Sequence, residues 1–186
     1  ATFDHSQEDR RGYENFVGSG ADPVLGVTGK LRRDETNRVV AKSAYAQGEV
    51  EIDPRWVATL GVRSGRVEFS SSDHYIVGGN LDDSGSQSYR FTNPVAALQW
   101  RASEALNLYV SAGRGYESHT FNELAYRPDG SAGFNTELKG QSSTQLELGA
   151  KWRAAALGLS LDAAVFDART QDEIGVATNR GGRATF

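Results

Sequence analysis

The sequence has no cysteine, no methionine and no long hydrophobic segment. The missing cysteine excludes disulfide bonds, cysteine-ligated zinc sites and a thiol nucleophile. No segment approaches the roughly 18 consecutive apolar residues of a membrane-spanning helix. Only 38% of the 186 residues are apolar, whereas 21 are glycine. A soluble domain usually carries more leucine and isoleucine, but a wide water-filled β-barrel needs fewer because its inner face is polar.

The local spacings of common catalytic and metal sites are also missing. The three histidines, His5, His74 and His119, are far apart and form no His-x-x-x-His or Glu-x-x-His pair. The acidic pairs at 82–83 and 172–173 lack the full spacing of a calcium loop, and no Gly-x-Ser-x-Gly motif occurs. We therefore expect no catalytic residues, no metal site and no cofactor. The net charge of −4 disfavours nucleic acid as a partner.

Alternation of apolar and polar residues with a period of two recurs along the chain, and helical periodicity is weak. It predicts strands that include residues 44–52, 56–63, 94–101, 106–113, 145–152 and 157–165. One face of these strands is apolar and includes Ala44, Leu60, Leu98, Leu108, Leu148 and Leu161. The other carries Glu49, Glu51, Arg63, Glu147, Lys151 and Asp162. Because a small barrel packs its interior and a wide lumen hydrates charges, this face favours a wide barrel.

Short and long connections alternate. Short turns fall near 53–55, 102–105 and 153–156, and long polar loops near 17–40, 70–89, 116–142 and 168–175. Trp56, Trp100 and Trp152 each lie beside a short turn, in phase with the apolar face, which predicts an aromatic membrane girdle. Short turns at one end and long loops at the other are typical of outer-membrane barrels. The fold predicted is all-β, an antiparallel up-and-down meander of about eight strands, with the first and last incomplete.

Several segments resemble, in chain order, the barrels of TonB-dependent outer-membrane receptors. Residues 108–124 resemble a strand-to-loop segment of that family, with Gly113-Arg114-Gly115-Tyr116 followed by Glu123-Leu124. Glu147-Leu148-Gly149-Ala150-Lys151 is similar to the family's Glu-x-Gly-x-Lys strand. Tyr45-Ala46-Gln47 and Gly61-Val62-Arg63 resemble a hairpin of the family, and Asp172-Glu173-Ile174 matches the loop after the next strand. His119 stands where the family usually has proline.

This resemblance implies a receptor in the outer membrane of Gram-negative bacteria that imports ferric siderophores or similar scarce nutrients. Residues 1–186 would form a single mid-to-late segment of a 22-stranded transmembrane β-barrel, surrounded by outer-membrane lipid and without the plug domain. The TonB complex would be contacted through the missing N-terminal part. Arginine and aromatic side chains near the outer opening would contact the anionic chelate. The candidates are Arg114, Tyr116, His119, Tyr126, Arg127, His74, Tyr75 and Arg90.

Two other interpretations stay open at this point. The chain could be a complete small outer-membrane β-barrel that acts as an adhesin or structural anchor, although the charged inner face and incomplete end strands argue against it. It could also be a soluble β-sandwich that serves as a binding module, with its polar face turned to solvent.

Overall fold

A computed structural model describes residues 1–19, 22–131, 133–180 and 183–186. The strands are β1 (Thr2–Tyr13), β2 (Phe16–Val17), β3 (Val24–Leu25), β4 (Leu31–Glu51), β5 (Trp56–Asp73), β6 (Gly85–Arg101), β7 (Leu106–Glu117), β8 (Gln141–Ala154), β9 (Leu159–Gln171), β10 (Thr178–Arg180) and β11 (Arg183–Thr185). A short helix, α1 (Phe121–Leu124), lies between β7 and β8, and a 3-10 turn (Ala155–Leu157) joins β8 to β9.

Seven strands form one antiparallel sheet in the order β1-β4-β5-β6-β7-β8-β9. Each long strand therefore pairs with the next long strand along the chain, which confirms the predicted up-and-down meander. The main sheet has seven strands, close to the expected number of about eight. The last predicted strand is divided into β10 and β11, which pair with each other outside the main sheet.

The strands are longer and most loops shorter than the alternation predicted. β4 begins at Leu31 rather than near residue 41, and β5 continues to Asp73 rather than ending near residue 69. The 14–30 connection contains the small β2–β3 hairpin, and the next loop spans only 74–84. At these ends both faces of the strands are polar, as in the segment 32–38, so the sequence carries no alternation there although the backbone pairing continues.

Cross-strand register places the three tryptophans on one face. Trp56 pairs with Trp100, and their rings stack at 5.8 Å. Trp100 pairs with Leu108, and Trp152 with Leu106, two positions from Leu108 on the same side of β7. Directly paired residues share a face, as do residues two apart along a strand. We call this the apolar face, and the same pairing assigns to it Ala44, Leu60, Leu98, Leu148 and Leu161.

The opposite side of the sheet, which we call the polar face, carries linked charged and hydroxyl groups near the short turns. The Arg101 guanidinium lies 2.7 Å from a Glu51 carboxylate oxygen. Tyr109 donates a 2.5 Å hydrogen bond to Glu147. The Tyr109 ring lies over Gly149 on the neighbouring strand, where a Cβ would collide with it. Gly149 therefore leaves space for the Tyr109 ring, whose hydroxyl binds Glu147.

The main sheet is open at both edges. β1 pairs only with β4 and β9 only with β8 among the described residues, so the strands do not close into an eight-stranded barrel. The leucines of the apolar face stay uncovered, with Leu60 65% and Leu161 61% exposed. A sandwich would bury such leucines under a second sheet. The fold is therefore that of a barrel segment. One of its faces is apolar throughout the half that lies next to the short turns and the tryptophans, which we call the lower half.

Candidate functional site

The loop 118–140 folds back onto the polar face at the end of the sheet remote from the tryptophans. Phe121 contacts Phe69 of β5 edge to face at 5.3 Å, and Phe134 packs beside Phe121 at 6.2 Å. Leu124 is fully buried in the same cluster, which also includes Tyr89. Burying a leucine contributes about 1.5–3 kcal/mol. The aromatic and aliphatic residues of the loop thus hold it against β5 and β6.

Hydrogen bonds also fix the conformation of this loop and its position on the sheet. The segment 120–123 has the Thr-x-x-Glu pattern of a capping box, and the Glu123 carboxylate accepts a 2.6 Å hydrogen bond from the Thr120 backbone N–H. Further along, the Leu138 carbonyl accepts a 3.1 Å hydrogen bond from the Tyr89 hydroxyl. The loop is therefore fixed at its beginning and near its end.

A cavity of about 620 Å³ lies between this loop, the 74–84 loop and strands β1, β4 and β5. Its basic lining residues are Arg10, Arg11, Lys30, Arg32 and Arg33, and its acidic ones are Glu14, Glu35, Asp73 and Asp83. Its aromatic lining residues are Tyr13, Tyr75, Phe121, Tyr126 and Phe134. The cavity is thus polar and charged, with aromatic rings in its wall.

Arg33 is the central cation of the cavity. Its guanidinium lies 5.9 Å from the centroid of the Tyr126 ring, and its Nη2 lies 3.5 Å from the Tyr126 hydroxyl. The Glu35 carboxylate lies 3.6 Å from Arg33 and 3.7 Å from Arg10, and it also accepts a hydrogen bond from the buried Asn37. The Glu35 carboxylate thus forms ion pairs with both Arg10 and Arg33. Because each guanidinium group has five N–H donors, some of them remain for an anionic ligand.

Two acidic residues of the cavity, Asp73 at the end of β5 and Asp83, lie at the two ends of the 74–84 loop. The Asp73 carboxylate accepts backbone hydrogen bonds from Tyr75 at 2.9 Å and Asp83 at 3.2 Å, which fixes the start and end of the loop. Burial raises the pKa of Asp83 above its usual value, and the negative charge of Asp73 adds to the effect. The positive charges of Arg127 and Arg33 act in the opposite direction.

Three of the residues predicted to contact a ligand lie at this cavity. Tyr75 and Tyr126 line it. The Arg127 guanidinium lies against Gly133, another lining residue. The structure brings these three together from two loops that are about fifty residues apart in sequence.

His119 is instead buried within the loop. It is 3% exposed, and its ring meets the Tyr89 ring edge to face at 5.6 Å. Neither ring nitrogen has a hydrogen-bond partner among the described residues, and Nδ1 lies 3.7 Å from the Glu123 carboxylate. Burial lowers the pKa of His119, and Glu123 only partly opposes this. Contact between His119 and a ligand would require the loop to open.

The remaining predicted residues do not line the cavity. Tyr116 stacks on Phe91 at 5.2 Å, where β7 no longer pairs with β6. His74 contacts Thr36, which lies on the apolar-face side of β4, at 3.1 Å. Cross-strand register also places Arg90 and Arg114 on the apolar-face side. Contact between any of these residues and a ligand stays a prediction.

Sequence reasoning missed the basic wall of the cavity. Lys30 and Arg33 lie in residues 17–40, which were predicted to form a long loop, and Arg10 lies in the segment before it. Two segments rich in charged residues, 8–11 and 30–35, are the sequence feature that could have indicated this wall. They lie side by side because β1 pairs with β4 at these residues.

Within the described part of the chain, no helix combines the length and apolarity needed to span a membrane. Those residues also contain no group of three or more histidine, aspartate or glutamate side chains placed to hold a metal ion.

Comparison with known proteins matches residues 1–186 to the family described as TonB dependent receptor-like, beta-barrel. Among solved structures, the chain resembles the crystal structure of the siderophore receptor PiuA from Acinetobacter baumannii, with a TM-score of 0.63 and 18% sequence identity. The match covers 88% of this chain and 27% of that receptor, so the chain spans about a quarter of its length. At this identity the likeness shows the fold.

Proposed function

The chain belongs to the TonB-dependent receptor β-barrel family, and from that premise we propose that it forms part of a receptor that imports ferric siderophores or similar scarce nutrients. Members of this family are receptors of the Gram-negative outer membrane. We further propose that residues 1–186 are a single barrel segment, and that plug and TonB contacts come from other parts of the receptor.

The observation that carries this proposal is the charged cavity beneath the loop 118–140. It lies on the polar face, which faces the lumen when the apolar face contacts lipid. It also lies at the end remote from the tryptophans and short turns, which is the extracellular end in outer-membrane barrels. A ligand arriving from outside would therefore meet this cavity before it reached the lower lumen.

The chemistry of the wall fits an anionic chelate with polar groups on its periphery. Arg33 and Arg10 offer guanidinium donors, which bind carboxylate and related oxygen anions with two parallel hydrogen bonds. Tyr126 and Phe121 offer ring faces and edges for aromatic or aliphatic parts of a ligand. No iron ligand from the protein is needed, because the chelate itself would surround the metal.

The test uses the full-length receptor that contains this chain. Binding of a ferric tris-catecholate, a ferric tris-hydroxamate and ferric citrate is measured by quenching of tryptophan fluorescence, and uptake with radioactive iron in cells that lack other receptors. The double variant Arg33→Ala/Tyr126→Ala should weaken binding of the recognised chelate about 10- to 100-fold, since a hydrogen bond to a charged group contributes about 1.5–3 kcal/mol.

Arg55→Ala is the matched control, because Arg55 is an exposed arginine in the short turn at the other end of the sheet. It should bind as wild type does. The proposal would be contradicted if wild-type receptor bound none of the three chelates, or if the cavity variant bound as tightly as the control.

A further inference from the structure

One carboxylate in the wall of the charged cavity lacks a compensating partner. Asp83 lines the cavity and is partly buried. Its backbone N–H binds Asp73, but its carboxylate forms no ion pair and accepts no hydrogen bond among the described residues. Arg127 and Arg33 act on its charge only from beyond ion-pair distance. Because a partly buried charge without a partner is costly, a cationic group on a bound ligand would be stabilised beside Asp83.

Two other acidic residues of the cavity already have basic neighbours. The Glu35 carboxylate is shared by Arg10 and Arg33, at 3.7 and 3.6 Å. Glu14 lies next to Lys30, because the Glu14 backbone N–H donates a 2.9 Å hydrogen bond to the Lys30 carbonyl. A ligand cation would therefore compete with a basic side chain of the protein at either of these residues.

Two further groups suited to a cation lie beside Asp83. The Asp73 carboxylate accepts hydrogen bonds from the backbone N–H groups of both Tyr75 and Asp83, so these two residues are held close together. The Asn80 side-chain amide donates a 2.6 Å hydrogen bond to the Tyr75 carbonyl, which leaves its amide oxygen as an acceptor. All three of Tyr75, Asn80 and Asp83 line the cavity. One short loop thus presents an aromatic ring, an amide oxygen and a carboxylate.

Backbone hydrogen bonds hold this loop in shape. Val77 and Asn80 exchange two of them, at 3.3 and 2.9 Å, and Gly79 between them has a φ of +88° that favours glycine. The Ser84 hydroxyl accepts a 2.9 Å hydrogen bond from the Asp73 backbone N–H. The groups that would meet a cation are therefore ordered before a ligand binds, which keeps the entropy cost of binding small.

We propose that Asp83 is a specificity-determining residue of the cavity and recognises an ammonium group on the bound chelate, with Asn80 and Tyr75 beside it. This rests on the proposed function, because it names a property of the ligand that the same cavity takes. Arg33 and Arg10 would bind oxygen anions of the chelate, and Asp83 its cation. Ammonium groups form charge-assisted hydrogen bonds with carboxylates and cation–π contacts with aromatic rings. A chelate with negative charge alone would be repelled by Asp83.

The test compares two ferric tris-hydroxamates that differ in a single group, each titrated into the full-length receptor at neutral pH. One carries a free primary amine, which is protonated at this pH, and in the other this amine is acetylated. Quenching of tryptophan fluorescence gives the two affinities. Wild type should bind the ammonium form about tenfold or more tightly than the acetylated form, as a hydrogen bond between charged groups would give.

The variant Asp83→Asn should bind the two chelates about equally. Its affinity for the acetylated chelate should be unchanged or higher, which also shows that the variant folds. Asp83→Glu keeps the charge and should retain most of the preference for the ammonium form.

Asp82→Asn is the matched control, because it removes the same charge one residue away. Asp82 is exposed, does not line the cavity, and accepts a 2.9 Å hydrogen bond from the Ser84 backbone N–H. This variant should keep the wild-type preference, and so should Glu14→Gln, which removes a different carboxylate of the cavity wall.

The inference is overturned if Asp83→Asn prefers the ammonium form as strongly as wild type does, or if Asp82→Asn or Glu14→Gln loses the preference. It is also overturned if wild type binds both hydroxamates equally, or binds only ferric citrate, which has no cationic group. In these cases a chelate still binds, so the proposed function stands. If no chelate of any class binds, the proposed function fails and this inference fails with it.

Discussion

Leu124 is the residue on which docking of the loop 118–140 depends most. Its side chain is fully buried between the loop and the polar face of the sheet. Substitution of a buried leucine by alanine costs about 2–5 kcal/mol, through lost burial and the cavity left behind. Because the loop packs on the sheet without being part of it, this cost should fall on local opening of the loop rather than on the strands. Since each 1.4 kcal/mol is a factor of ten, opening should become about 30- to 4,000-fold more frequent.

Hydrogen exchange of the full-length receptor measures this opening directly. The Asn135 backbone N–H donates a 2.8 Å hydrogen bond to the Leu124 carbonyl, so its exchange reports on the docked loop. In Leu124→Ala the amide should exchange faster by the factor above, while amides in the middle of β5 keep their protection. Leu81→Ala is the matched control, because Leu81 lies in the neighbouring loop and is 83% exposed. Protection of Asn135 within about threefold of wild type in Leu124→Ala would refute this account of how the loop is held.

Two other predictions concern the buried His119 and the assignment of the two faces of the sheet. Burial lowers the pKa of His119 in the docked loop below its usual 6.5, so the open form binds a proton more tightly. Docking should therefore be strongest above pH 6.5 and weaken as the pH falls from 6.5 towards the lower pKa, seen as faster Asn135 exchange after correction for intrinsic rates. His119→Phe should abolish this dependence, and equal protection of wild type at pH 7.5 and 5.5 would contradict it. Leu60→Arg places a charge on the apolar face and should destabilise the folded barrel by about 2–4 kcal/mol, whereas Thr59→Arg on the polar face should cost less than 1 kcal/mol. Heat-dependent gel mobility measures both, and equal losses would mean that the faces are assigned wrongly.

The lower half of the sheet could be predicted from sequence because a membrane and a hydrated lumen impose opposite demands on alternate residues. Trp56, Leu60 and Leu108 fell on one face by alternation alone, and the cross-strand pairing places them there. The upper ends could not be predicted in the same way. Both sides of β4 near Arg33 face polar surroundings, so its sequence there carries no period, and its strand state follows from pairing with β1 and β5.

The cavity was predictable only in part for a related reason. Tyr75 and Tyr126 belong to loops, and polar loops at the outer opening are recognisable from composition. Their convergence with Arg33 depends on how the loop 118–140 folds back, which is decided by the packing of Phe121 and Leu124 on Phe69. In a loop sequence, an apolar residue that anchors the loop cannot be distinguished from an apolar residue that is exposed to solvent.

Strand parity, rather than residue type, decides on which face of the sheet an arginine lies. Arg63 and Arg66 lie three positions apart on β5 and therefore point to opposite faces, one with the polar face of Arg33 and the other towards lipid. A register slip of one residue would exchange every such assignment. The polar upper strands contain little that resists such a slip, but Leu60 and the stacked Trp56–Trp100 pair in the lower half resist it strongly, because exposing them in the lumen would be costly. The apolar half of each strand thus fixes the register of its polar half, and with it which arginines lie on the same face as Arg33.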